Sequence, residues 1–175
     1  MPTDFELDAA RLIMTERWAA IATMDRGVPL ATMVAYAPER ALGGLLIFVS
    51  ELSQHTRNLL QDPRVSLVVS EADTGEGDPQ LLARVTLTGE VRHVRPGSQE
   101  YAAAKSAYLA RFPGAEPRFD LADFHLLRLV PSDIRYVGGF ARAFSISAED
   151  LTTAAAAVAE ADVKRPPTPP RTRAR

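Results

Sequence analysis

The sequence predicts an α+β fold, mostly β, with six or seven antiparallel strands closing into a barrel that carries peripheral helices. Three observations point there. Short β-branched and aromatic runs follow one another through residues 18–146, separated by turn chemistry. Helical patterns stand only at the ends and at two interruptions. So many short strands in a small chain are most economically protected by closure, which removes exposed edges.

Thr3 followed by Glu6 forms a capping-box pattern, and Phe5, Ala9, Leu12 and Ile13 give one apolar face, so the chain opens with a helix running to about Arg17. "WAAIATM" and "VPLATMVAYA" flank Asp25-Arg26-Gly27, which predicts a hairpin. "LLIFVS" is a third strand. "ELSQHTRNLLQDP" is a polar hinge, about two helical turns and a proline stop, and "RVSLVVSE" is the next strand. "ADTGEGDPQ" is a loop, and "LLARVTLTGEVRHV" alternates as a central strand with one wetter face. "SQEYAAAKSAYLARF" is a helix ending at Pro113-Gly114. "FHLLRLVPSDIRYVGGFARAFSI" divides into two or three strands at Pro131-Ser132-Asp133 and Gly138-Gly139. Ser147 is an N-cap for a last Ala-rich helix.

The 175 residues suffice for one core, taken as a domain over 1–163 followed by a Pro/Arg-rich tail over 164–175. Net charge is −2, yet the last twelve residues carry +5, leaving −7 on the body. An acidic body argues against nucleic acid as a partner, and a tail so rich in proline does not fold alone. With no cysteine, disulfides, a thiolate nucleophile and Cys-ligated metals are excluded. No signal-peptide pattern opens the chain and no apolar run nears the roughly 20 residues of a membrane span, so a cytoplasmic protein without membrane contact is expected.

The three histidines, His55, His93 and His125, fit no metal-ligand spacing, and no metal site is expected. His93 and His125 lie in strand patterns, where a hydrogen-bonded structural role is the ordinary one. GxSxG, P-loop and GxGxxG motifs do not occur. Polar residues concentrate instead in "FVSELSQHTRNLLQDPRVSLVV": Ser50, Ser53, His55, Thr56 and Arg57 stand at or before the first turn of its helix. A helix start offers unpaired N–H groups and the positive end of a dipole, which suits a phosphate. An ordinary cap on a solvated helix would use the same residues.

That stretch, with "VPLATMVAYA" before it and "LLARVTLTGEV" and "YVGGFARAFSI" after it, resembles the pyridoxamine 5'-phosphate oxidase-like FMN-binding split barrels, nearest to their haem-utilisation-related branch. The resemblance covers about residues 8 to 150. It implies FMN as cofactor, with Thr32, Met33 and Val34 along the isoalloxazine, Val49 and Ser50 at the end of the next contacting strand, and His55 and Thr56 at the phosphate. Arg84 falls where the family reaches the flavin with a polar side chain, and Phe140 and Arg142 where a late strand approaches it. It also implies a homodimer with flavin at the interface and a small-molecule substrate oxidised or reduced by hydride or electron transfer at the flavin.

The sequence departs from that family in three places. His55 and Thr56 replace a cationic pair. The Arg-x-His of true pyridoxamine phosphate oxidases reads Arg142-Ala143-Phe144, against vitamin B6 oxidation. One Ala-rich helix and the basic tail stand where many haem-utilisation relatives have a C-terminal domain, against haem degradation. The expected function is an FMN-dependent oxidoreductase. Its rivals are a haem-binding or haem-degrading split barrel with His93 or His125 on the iron, and a non-enzymatic binding module.

Overall fold

The computed structural model describes residues 1–139 and 142–164, with the backbone alone at 164. Helix α1 (Asp4–Thr15) starts behind Thr3, whose N–H donates to Glu6 Oε2 at 2.7 Å. It stops two residues short of the predicted end, because Arg17 already leads into strand β1 (Trp18–Asp25). The β1–β2 hairpin, with β2 at Val28–Pro38, turns through Arg26 (φ 52°) and Gly27 (φ 83°). Two successive left-handed residues match the twist of the flanking strands.

After β3 (Leu45–Ser50) come the short helix α2 (Gln54–Gln61), β4 (Arg64–Ser70), β5 (Arg84–His93), helix α3 (Tyr101–Arg111), β6 (Phe124–Val137), β7 (Ala143–Ile146) and helix α4 (Ala148–Lys164). All pairings are antiparallel. The strands run in the order β3-β2-β1-β4-β5-β6-β7, and β3 also pairs with β6. Six strands therefore close on themselves while β7 extends from β6 as a flap.

The predicted break at Pro131-Ser132-Asp133 is not a break. Strand β6 passes through Pro131 with its register shifted between Thr88 and Gly89 of β5. A bulge suits a proline that has no N–H to give the ladder. It also needs a glycine opposite, since a Cβ on Gly89 would fall 2.1 Å from the Val130 carbonyl oxygen.

The barrel interior is apolar, filled by Ile21, Tyr36, Ile47, Leu67, Leu87 and Leu129 and closed off by α1 and α4. A second, aromatic core lies outside the barrel wall under α3, where Phe48 stacks on Phe119 with centroids 3.9 Å apart. No described helix is long and apolar enough to cross a membrane.

Candidate functional site

Helix α2 lies against β1 and turns its polar side inward. His55, Thr56, Asn58 and Leu59 are buried there. Each buried polar group needs a partner, and two find one across the barrel wall. His55 Nδ1 is 2.9 Å from Thr32 Oγ1 on β2, and Asn58 Nδ2 donates to Thr23 Oγ1 on β1 at 3.1 Å. Gln54 Nε2 donates to Asn58 Oδ1 at 2.9 Å. Burial holds the His55 pKa below its ordinary value. Thr56 is fully buried and its hydroxyl has no partner among the described residues.

The predicted phosphate cup is thus assembled differently. Arg57 turns back on its own loop, donating to the carbonyls of Glu51 and Leu52 and to Gln54 Oε1. Ser50 Oγ donates to Asp123 Oδ2 at 2.6 Å and accepts from the Leu52 N–H. Of the remaining predicted residues, Val34 and Val49 are core, and Met33 is exposed on the outward face of β2. Arg84 Nη1 donates to the carbonyls of Gln80 and Leu82. Arg142 is exposed before β7, its carbonyl accepting from the Gly138 N–H, while Phe140 lies outside the described residues. The structure brings Thr32 and His55 together and leaves Arg84 and Arg142 apart from them in bonding.

A second polar line was not foreseen as a unit. His125, at the start of β6, sits opposite Val49 of β3, and His93 ends β5 opposite Leu127. The β5–β6 pairing brings the two rings together, and the β3–β6 pairing that closes the barrel brings Glu51 to them. His125 Nε2 lies 2.6 Å from Glu51 Oε1, and its Nδ1 lies 3.2 Å from His93 Nε2. Burial, with His125 and Arg95 nearby, holds the His93 pKa below its ordinary value. His93 also borders a pocket of about 180 Å³ walled by Phe48, Tyr101, Phe119 and Phe124.

Elsewhere, a cleft of about 590 Å³ opens on the outward face at the β5–β6 bulge. Arg64, Ser66, Thr88, Arg92 and Pro131 line it, and none of the sequence-predicted residues does. It offers guanidinium and hydroxyl groups but no imidazole. Among the described residues no group of three or more His, Asp or Glu side chains is arranged to hold a bare metal ion.

The family model for the CREG β-barrel matches residues 7–153. This chain belongs to the CREG β-barrel family. Its fold is the pyridoxamine 5'-phosphate oxidase-like split barrel. It is 37% identical over 123 residues to the chloroplastic heme oxygenase HOZ of Arabidopsis thaliana, covering 70% of this chain and 36% of that one. It is 32% identical over 136 residues to the heme oxygenase HutZ of Vibrio cholerae, covering 75% and 74%. The heme-binding protein of Mycobacterium smegmatis superposes with a TM-score of 0.77 at 31% identity, over 87% of this chain and 62% of that one. The chain thus spans about a third of the Arabidopsis protein's length.

These relatives overturn the FMN expectation. Heme oxygenases and a heme-binding protein stand where flavoproteins were expected, and they point to haem rather than FMN. The local chemistry agrees with the correction. A flavin phosphate needs firm donors, but Arg57 is engaged with backbone carbonyls and the Thr56 hydroxyl is sealed from solvent.

Proposed function

We propose that this chain is a haem-binding split barrel that acts in haem breakdown, as the names of HOZ and HutZ state for those proteins. The observation that carries the reading on this chain is the Glu51–His125–His93 line. Haem brings four iron ligands of its own and asks the protein for an axial donor and an apolar surface. The chain has three histidines and no cysteine. His55 is buried with Nδ1 on Thr32, whereas His93 is exposed and bonded to His125, and it is His125 that has the Glu51 carboxylate behind it, as metal-binding histidines usually do. The aromatic pocket beside His93, about 180 Å³, is smaller than the roughly 300 Å³ at which ligand clefts begin, so it does not enclose a group of haem's size, and its aromatic residues would supply only part of an apolar surface for it. When bound, haem supplies the oxygen and redox chemistry, and the chain's own residues supply orientation and an apolar wall.

A second copy of this chain is the proposed partner. Trp18, Ala20, Ala22, Ala31, Met33 and Ala35 form one outward apolar face on the β1–β2 ladder, in which Trp18 is 56% and Met33 43% exposed. Met33→Glu should shift a dimer to monomer in sedimentation velocity.

The function is tested by adding haem to the purified protein. A shifted Soret band with saturable binding is expected, followed by loss of that band and release of a ring-opened product on incubation with a reductant in air. A band shift that survives loss of both His93 and His125 would remove histidine ligation. Failure to take up haem would favour the non-enzymatic binding module.

A further inference from the structure

A cavity of about 400 Å³ lies beside α1, where that helix closes one end of the barrel. None of the histidines and none of the α2 residues line it. Asp8, Leu12 and Glu16 face it from α1 and its C-cap, at the i, i+4, i+8 spacing that puts three side chains on one helix face. Glu71, just past β4, faces it from the barrel. The Ala83 N–H fixes the Glu71 carboxylate by donating to Oε2 at 2.8 Å, and Oε1 has no partner among the described residues. Against these three carboxylates the wall holds one cation among the described residues, Arg11, which is already joined to Asp8 at 3.2 Å. Arg142 acts on Tyr136 from nearby but does not line the cavity.

Tyr136 is the independent sign of a ligand. It lines the cavity although it is only 4% exposed and its ring belongs to the barrel core. The ring folds back over Gly138, where a Cβ would fall 2.7 Å from the hydroxyl oxygen. That hydroxyl bonds to no described residue. It is not sealed either, since the sealed and partnerless polar atoms among the described residues are Thr56 Oγ1 and Arg111 Nε. A buried phenol in that position meets open space, and the space Tyr136 lines is this cavity. Burial, with Asp8 and Glu71 nearby, raises its pKa, so the phenol keeps its proton and offers one donor and two lone pairs.

An acidic wall selects a cation. A bare metal ion does not suit it, because no three described carboxylates or imidazoles are arranged to hold one. An ammonium group does suit it, having three N–H donors that take separate acceptors. The phenol oxygen can accept from such a group while its own proton goes to Asp8 or Glu71. Glu16 stands at the other end, about 12 Å along the helix from Asp8, with the apolar Leu12 between them. We propose that this cavity binds a linear aliphatic diamine as its dication. One ammonium sits among Asp8, Glu71 and Tyr136, the other sits at Glu16, and the alkyl chain crosses Leu12. The site is independent of the haem reading.

The test is calorimetric titration of the full chain with a series of α,ω-diamines from diaminobutane to diaminooctane, at pH 7.5 and fixed ionic strength. Saturable one-site binding is expected for at least one length, with the alkyl monoamine of the same length about 10-fold weaker and the corresponding diol and dicarboxylate inert. Tyr136→Phe should weaken the diamine about 3- to 10-fold and leave the ligand-free urea midpoint where it was, because the lost hydroxyl has no partner in the protein. Glu16→Gln should reduce the diamine to the level of the monoamine. Glu71→Gln, which keeps an acceptor for the Ala83 N–H, should weaken both ligands. Glu90→Gln makes the same charge change in the wall of the other cleft and should leave both affinities unchanged. No saturable binding at any length would overturn the proposal, as would Mg²⁺ competing as well as the diamine does at equal ionic strength. Glu90→Gln weakening the diamine as much as Glu16→Gln does would reduce the effect to general charge and overturn the site. Wild-type affinity in Tyr136→Phe would overturn the role of the phenol.

Discussion

Thr32 Oγ1 and His55 Nδ1, 23 residues apart in the chain, meet at 2.9 Å where α2 is pressed against the barrel wall. The bond joins β2 to the first turn of α2. Thr32→Val keeps the shape of the side chain and removes the partner, which leaves a buried ring nitrogen unsatisfied. The expected cost is about 1–3 kcal/mol in urea unfolding. Adding His55→Leu should recover part of that loss, because both polar groups are then gone. Equal and additive losses would mean the pair does not couple.

His55 also makes stability depend on pH. Burial lowers its pKa in the folded state, while in the unfolded chain the imidazole titrates near its ordinary value of about 6.5. Between the two values the unfolded state binds more protons, so stability is complete above about pH 6.5 and declines as pH falls towards the folded value. The urea midpoint should drop from pH 7.5 to pH 5.5, and His55→Gln should flatten that profile. His93, lowered in the same direction, leaves a residual slope in the variant.

The elements that were legible in the sequence are those whose cause is local. Asp25-Arg26-Gly27 has the turn chemistry its two left-handed residues require, and Ser147 caps α4, accepting from the Asp150 N–H at 3.0 Å. Pro131 misled because its tolerance depends on a bulge contributed by another strand. The site shows the same division. Residues 48–58 were legible as a polar concentration, but residue types do not say that Arg57 faces its own loop or that Thr56 faces inward. His93 and His125, 32 residues apart, read singly as structural. Only the register of β3, β6 and β5 around the closed barrel reveals them as neighbours, and that register is a long-range property.

Gly89 is a packing requirement rather than a flexible joint. A Cβ there meets the Val130 carbonyl oxygen at 2.1 Å and Pro131 Cα at 3.0 Å, both backbone atoms of the bulged strand. Gly89→Ala must push β6 away from β5 and should cost about 1–3 kcal/mol or more. For a chain of this size that is a fall in Tm of about 2–12 °C by calorimetry. A melting temperature within a degree of the wild type would show that β6 yields freely at the bulge.

Arg111 clamps the end of α1 from the last residue of α3. Its Nη1 donates to the Met14 carbonyl at 2.9 Å and its Nη2 to the carbonyls of Thr15 and Glu16, groups that a helix end leaves without partners. The guanidinium also lies over the Tyr36 ring, 5.8 Å from its centroid, and the Tyr36 hydroxyl donates to the Ile13 carbonyl at 2.8 Å. One buried tyrosine and one arginine thereby hold four successive carbonyls, and α1 in turn caps the barrel. Arg111→Met keeps the apolar stem but loses the donors, and should cost about 2–3 kcal/mol. Arg111→Lys keeps the charge but not the planar fork that reaches several oxygens at once, so it should fall between the two. Tyr36→Phe should cost about 1 kcal/mol. Hydrogen exchange separates this account from a general loss of stability: amides in the last turn of α1 should exchange faster in Arg111→Met than its global destabilisation requires. Protection of that turn falling only in step with the rest of the barrel would mean that the clamp is not what holds α1 in place.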